Sequence, residues 1–218
     1  MLLNRSRVKF WQRIVFGGMA VLMAGFLIFG YSGVLNGCDF LHSATSATKT
    51  LDQAIATQQA AVAADSKNVD AWRSLGEQYT LRANQQAANS DAQTSDWREA
   101  AKAYERADKL LAKTKGATAK QLRLDTLDQL VNVYLFLQYY QLATSTYGQI
   151  TALRPKDAQS FFDMATVAIN AGDTNTALLA FTKFLELDPT SADAPAVKDW
   201  IAKNAPSSSP TPTPSPTK

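Results

Sequence analysis

The chain has 218 residues, 46% of them apolar, with 22 basic and 19 acidic side chains for a formal net charge of +3, which suits one ordinary domain with appendages or two small ones. The positive excess sits at the ends: without Arg5, Arg7, Lys9, Arg13 and Lys218, 17 basic residues stand against 19 acidic ones, so the net charge gives no support for a nucleic-acid-binding domain, whose affinity needs a basic face. A single cysteine excludes an internal disulfide, and one histidine beside it removes the usual zinc constellations.

In chain order, a basic flank (1–13) precedes an uncharged apolar run, IVFGGMAVLMAGFLIFGYSGVL, at 14–35. As a helix its 22 residues would span roughly 33 Å, about the hydrocarbon thickness of a bilayer. Trp11 and Tyr31 bracket it as interfacial aromatics do. Four basic residues lie before it and the next is Lys49, so the positive-inside rule leaves the N-terminus in the cytoplasm and sends the rest outside. Three readings share that topology. The length suits an uncleaved signal anchor in a single-pass cell-membrane protein, because cleavable signals carry an apolar region of about 7–15 residues. Leu35-Asn36-Gly37-Cys38 is similar to a bacterial lipobox and would make Cys38 a lipidation site, although Asn36 departs from that pattern. Cleavage and release is the third reading.

Residues 36–48 are small and polar and read as a linker, with His42 in it and no nucleophile placed near. From 49 to 204 alanine is frequent while glycine and proline are scarce, which predicts helix throughout. Sliding 127–155 onto 161–189, an offset of 34, superposes Leu127 on Phe161, Leu130 on Met164, Ala143 on Ala177, Tyr147 on Phe181, Ile150 on Phe184 and Pro155 on Pro189. The small residues fall where one helix must come close to another, and the prolines follow helices they cannot continue. An earlier copy carries Trp72, Leu75, Gly76 and Tyr79, then Ala100, Tyr104 and Ala107. Its two halves are 12 residues further apart than in the next copy, which predicts an insertion near 85–94, as a longer helix or a polar loop. A shorter insertion is expected near 113–120.

These spacings, W-x2-L-G-x2-Y followed by A-x3-F-x2-A and a closing proline, resemble the tetratricopeptide repeat. The resemblance implies an all-α helix-turn-helix solenoid, here preceded by one transmembrane helix. Its repeats fall at about 69–112, 124–157 and 158–191, with half-repeat helices at 50–64 and 194–204. Residues 205–218, PSSSPTPTPSPTK after Ala205, cannot build a core and are expected to be disordered or extended polyproline II.

By the family pattern a partner-binding groove would be formed by Arg73, Glu77, Asp128, Asn132, Phe136, Phe162, Thr166, Ile169 and Asn170, with Asp70, Thr80, Asp125, Leu135 and Gln159 beside them. Phe162 and Ile169 are offset from the core stripe of Phe161, Met164, Ala165 and Ala168, which suggests an apolar floor for a protein or peptide partner. A covering helix near Trp200 is the competing reading. A carboxylate clamp of the kind some relatives carry is disfavoured, because Glu77 and Asp128 stand beside Arg73 and Asn132 and would repel it. Charge is graded, with eight basic and four acidic residues over 98–125 and two basic and seven acidic over 157–199.

Nothing in the sequence composes a catalytic site, a phosphate loop or a metal cluster, and no cofactor or small-molecule substrate is expected. The implied function is that of a membrane-anchored scaffold on the outer side, holding or assembling envelope proteins. A structural subunit of a permanent membrane complex is the alternative.

Overall fold

The computed structural model describes the backbone of residues 39–205 and the side chains of residues 50–205. The chain divides into two units, 1–50 and 51–218. Of the first, only helical residues 39–50 are described, so the expected span at 14–35 and Cys38 lie outside the described residues, as does 206–218. No helix among the described residues is long and apolar enough to cross a membrane.

Eight helices and no strand make up the described residues: α1 (Asp39–Ala64), α2 (Val69–Gln85), α3 (Asp91–Leu111), α4 (Ala117–Phe136), α5 (Tyr140–Leu153), α6 (Ala158–Asn170), α7 (Thr174–Leu187) and α8 (Ala194–Asn204). From α2 onward the backbone contacts run between helices that are neighbours in sequence, the arrangement of a quasi-one-dimensional stack. The fold is therefore an all-helical succession of hairpins, α2/α3, α4/α5 and α6/α7, closed by α8.

Three boundaries differ from the sequence reading, each for a local reason. Residues 39–48, expected as linker, are the first turns of α1. The stretch DFLHSATSAT holds no glycine or proline, so nothing stops the helix from extending. The insertion near 85–94 resolves into both alternatives at once. Helix α2 runs on to Gln85, a short connection follows, and α3 begins at Asp91, six residues ahead of Trp97. Ser90 makes that early start possible, because its side chain accepts the Gln93 amide at 3.1 Å and caps the new first turn. The second repeat starts at Ala117 rather than about 124, directly after Gly116, whose φ of 120° breaks the chain direction.

Close approach is carried by small residues. Ala100, Ala107, Ala143, Ala165, Ala168 and Ala177 are all 0% exposed, and each lets a neighbouring helix pack at backbone distance. Around them, Leu75, Tyr79, Trp97, Tyr104, Leu130, Val133 and Tyr134 form one continuous core through the first two hairpins. Phe181, Phe184 and Val197 form another under the third hairpin and α8. Trp200 closes that end with its ring centroid 5.2 Å from Phe181, edge to face.

The turns inside the second and third hairpins share one geometry. Tyr139 N donates to Tyr134 O at 2.8 Å, and Asp173 N to Ala168 O at 2.9 Å, the six-residue closure of a Schellman cap. That cap needs a left-handed residue one position earlier. Gly172 supplies it at φ 74°, whereas the equivalent residue 34 positions earlier is Gln138 at φ 58°.

Candidate functional site

The residues expected to line a groove fall on α2, α4 and α6, the first helix of each hairpin. Glu77, Asn132, Phe136, Thr166, Ile169 and Asn170 are exposed, while Arg73, Asp128 and Phe162 are half-buried. Adjacent first helices touch directly: Arg73 Nε donates to Thr126 Oγ1 at 3.1 Å. The Arg73 guanidinium also lies 4.0 Å from Glu77, so its charge is already partnered, in keeping with the weak case for a carboxylate clamp.

Phe162 requires a correction. Its ring centroid lies 5.2 Å from Phe184 and 5.7 Å from Phe181, so it joins the core of the third hairpin instead of forming an open floor. The cause is that α7 presents two phenylalanines to this side of α6, and burying a third ring among them removes more apolar surface from water than leaving it outward. Ile169, 39% exposed, remains outward on the same helix.

Between the second and third hairpins the groove side is acidic. Asp128 lies 3.9 Å from Arg154, yet its carboxyl is held above the ordinary value, chiefly by burial and secondarily by Asp125, Asp157 and Asp163 against the pull of Arg154. Burial likewise raises Asp163, with Asp157 adding to the effect and the hydrogen bond from Gln159 opposing it. Burial and these two carboxylates push the Tyr147 phenol up to about 12. A raised folded-state value means that the folded form holds the proton more tightly than the unfolded chain. The stabilisation is complete below the ordinary carboxylate value of 3.8 and is lost as pH rises through the raised values. Asp163→Asn is accordingly expected to raise the melting temperature at pH 7, with the difference from the parent shrinking as pH falls toward 4. Thermal unfolding at a series of pH values checks it, and a difference that grows on acidification would contradict the assignment. No group of three or more His, Cys, Asp or Glu among the described residues is placed to hold a metal ion.

A second feature lies at one edge of the stack. Where α2 and α4 end and α3 and α5 begin, the chain encloses an open pocket of 440 Å³. Trp97, 4% exposed, forms its back wall, and Phe136 stacks on it with centroids 4.4 Å apart and planes 8° from parallel. Phe136 is nevertheless 63% exposed, because one face of its ring meets Trp97 and the other is open. Tyr139, Arg98, Asn89 and Gln138 complete the rim. Gln93 braces it from behind, donating to Ala83 O at 3.1 Å and accepting the Asn89 amide at 2.8 Å. Asn89 and Gln138 are the two non-glycine residues with positive φ among the described residues. The sequence does hold one signal for this pocket: at an offset of 34, Gln138 falls where the next hairpin has Gly172.

Keeping a glutamine in the left-handed region costs about 1–2 kcal/mol, of which glycine's extra unfolded entropy would return roughly half. Gln138→Gly is therefore expected to stabilise the fold by about 0.5–1 kcal/mol. Urea denaturation measures it, and a loss of stability would show that the side chain itself holds the turn.

These features describe a stack of helical hairpins with an exposed face on α2, α4 and α6 and an aromatic pocket at one edge. In fold the chain is similar to MamA, at 16% identity over 73% of this chain and 86% of that one, with a TM-score of 0.46. It is also similar to YrrB, described as a TPR protein with an unusual peptide-binding site, at 21% identity over 83% and 84% with a TM-score of 0.47. MamA from Desulfovibrio magneticus RS-1 aligns at 12% identity over 76% and 90%, with a TM-score of 0.45. No protein-family model and no curated protein matches the chain.

Proposed function

We propose that the chain is a membrane-tethered helical-repeat scaffold that binds a protein partner on the face formed by α2, α4 and α6. The observation that carries this reading is the division of labour along those helices. Their core positions are almost fully buried, whereas Glu77, Asn132, Thr166, Ile169 and Asn170 stay exposed at the positions the repeat pattern assigns to recognition. Mixed amides, hydroxyls and an isolated isoleucine suit an extended or helical peptide, with Ile169 as an apolar anchor. The uncharged run at 14–35 behind its basic flank supports a tether with the repeats on the outer side. A tether works by effective concentration: it confines the binding face to the membrane surface and favours assembly or holding of envelope partners there.

Photo-crosslinking from Asn132 and Ile169 in intact cells tests the reading. One discrete partner is expected from both positions. Asn132→Arg with Ile169→Asp should lower its recovery at least tenfold while the melting temperature stays within about 2 °C, since exposed positions rarely change stability by more than about 0.5 kcal/mol. Unchanged recovery, or crosslinks to this chain alone, would remove the face as the binding site. Protease access to the repeats in wall-stripped sealed cells tests the topology separately.

A further inference from the structure

The edge pocket has a chemistry of its own. Its exposed faces are aromatic, Phe136 and Tyr139 over the Trp97 wall, and its polar lining is Arg98, Asn89, Gln93, Thr94 and Gln138, with no carboxylate and no lysine. Such a rim is rich in donors. A polyproline II segment is the complementary ligand, because its carbonyls have no internal hydrogen-bond partners and its proline rings lie flat on aromatic faces. Proline offers no N–H, so at each proline such a segment presents only a carbonyl acceptor to the rim.

The chain carries such a segment. Residues 206–218 read PSSSPTPTPSPTK, with five prolines, four of them alternating from Pro210 to Pro216. The topology brings its root to the right edge. Connections of three to six residues join the helices from α2 to α8, so successive helices run in alternating directions, and α8 points the same way as α2, α4 and α6. Asn204, at the end of α8, therefore lies on the edge where Phe136 ends α4 and the pocket opens. Two repeat steps separate α8 from α4, roughly 20 Å at an interhelical spacing of about 10 Å. Thirteen residues in polyproline II would span about 40 Å at ~3.1 Å each, so the segment is long enough to bring its alternating prolines to the pocket.

We infer that the Pro/Ser/Thr segment 206–218 of this same chain docks in the Trp97/Phe136/Tyr139 pocket. Tethering gives the segment an effective concentration on the order of 1 mM, so a weak site is enough to be filled. The strained backbone at Asn89 and Gln138 fits this role, since left-handed non-glycine residues concentrate at ligand clamps. The inference does not depend on the partner proposed above, because its probes lie at the edge and need no second protein.

The test uses the full chain in detergent micelles, prepared as an equal mixture of isotopically heavy and light protein, with benzoylphenylalanine in place of Tyr139. The expected main product is a crosslink within one chain to residues 206–218, reduced at least tenfold when Pro210, Pro212, Pro214 and Pro216 are changed to alanine. A crosslink that survives those changes, one chiefly between heavy and light chains, or one to any other segment would overturn the inference. A fluorescent peptide of residues 205–218 gives an independent readout. It should bind the four-alanine variant at least tenfold more tightly than the unmodified chain, whose pocket is already filled, and should lose that binding on Phe136→Ala. Equal binding to both chains, or to neither, would count against docking of the chain's own segment.

Discussion

Arg82→Ala is expected to lower the stability of the repeat domain by about 3 kcal/mol. Arg82 grips Asp96 with two parallel hydrogen bonds, Nε to Oδ2 at 2.8 Å and Nη2 to Oδ1 at 2.6 Å, and reaches Asp52 of α1 with Nη1 at 2.6 Å. Asp96 is 3% exposed, so the substitution would leave a desolvated carboxylate supported on its side chain by Gln86 alone, at 2.9 Å. Breaking a buried pair from one side costs about 3–5 kcal/mol. The lower end applies because the Arg82 side chain is 24% exposed and water can partly replace it. For a domain of this size the loss corresponds to a fall in melting temperature of roughly 6–12 °C, measurable by far-ultraviolet circular dichroism. Arg82→Ala with Asp96→Ala is expected to be more stable than Arg82→Ala alone, because no charge is then left buried without its partner. Equal stability would mean that water already satisfies Asp96. The same triad helps to hold the long first hairpin: it ties α1, the end of α2 and the early turns of α3 at one point, beside the buried Ala83 and Trp97.

What the sequence makes legible here is periodic, and what it hides is set between distant residues. Ala143 and Ala177, Pro155 and Pro189 repeat at a fixed interval, because each hairpin solves the same packing problem, so the burial of the alanines and the helix ends before the prolines are legible directly. Phe162 could not be placed. On α6 the apolar residues Phe161, Phe162, Met164, Ala165, Val167, Ala168 and Ile169 cover well over half the helix surface, and the rings of Phe181 and Phe184 on α7 decide which of them turn inward. The edge pocket was hidden for a related reason. It joins residues 88–98 to 136–139, two stretches that no local periodicity connects. The repeat pattern marks Phe136 as a groove residue, and nothing local to it reveals the ring it rests on. The first turns of α1 show the opposite failure. The small, polar composition of 39–48 suggests a linker, although the stretch contains no glycine or proline to break a helix.

Gly76→Ala is expected to destabilise the domain although alanine is the better helix former. In an exposed helix interior the exchange would gain about 1 kcal/mol. Gly76 is buried, and a Cβ built there would lie 2.8 Å from both Cε1 and Cζ of Tyr104 and 2.9 Å from its Cδ1. Carbon contacts are favourable near 3.5–4.0 Å, so the ring or one of the helices has to move. The ring has little room. Tyr104 is 1% exposed, within the core that joins α2, α3 and α4, and burial pushes its phenol up to about 12. Its hydroxyl and the neighbouring Thr80 Oγ1 are both buried without completing a regular hydrogen bond, which indicates how tightly the ring is wedged. Over-packing of this kind costs about 1–3 kcal/mol, which exceeds the helical gain and leaves a net loss of up to about 2 kcal/mol. Steric relief distinguishes this account from a backbone effect. Tyr104→Leu removes the opposing ring, so Gly76→Ala should cost clearly less in the Tyr104→Leu background than in the parent, as a double-mutant cycle reads. If the cost is the same in both backgrounds, the glycine serves the helix backbone and not the close crossing of α2 and α3, and the small residue in the Trp72-Leu75-Gly76-Tyr79 pattern would need another explanation.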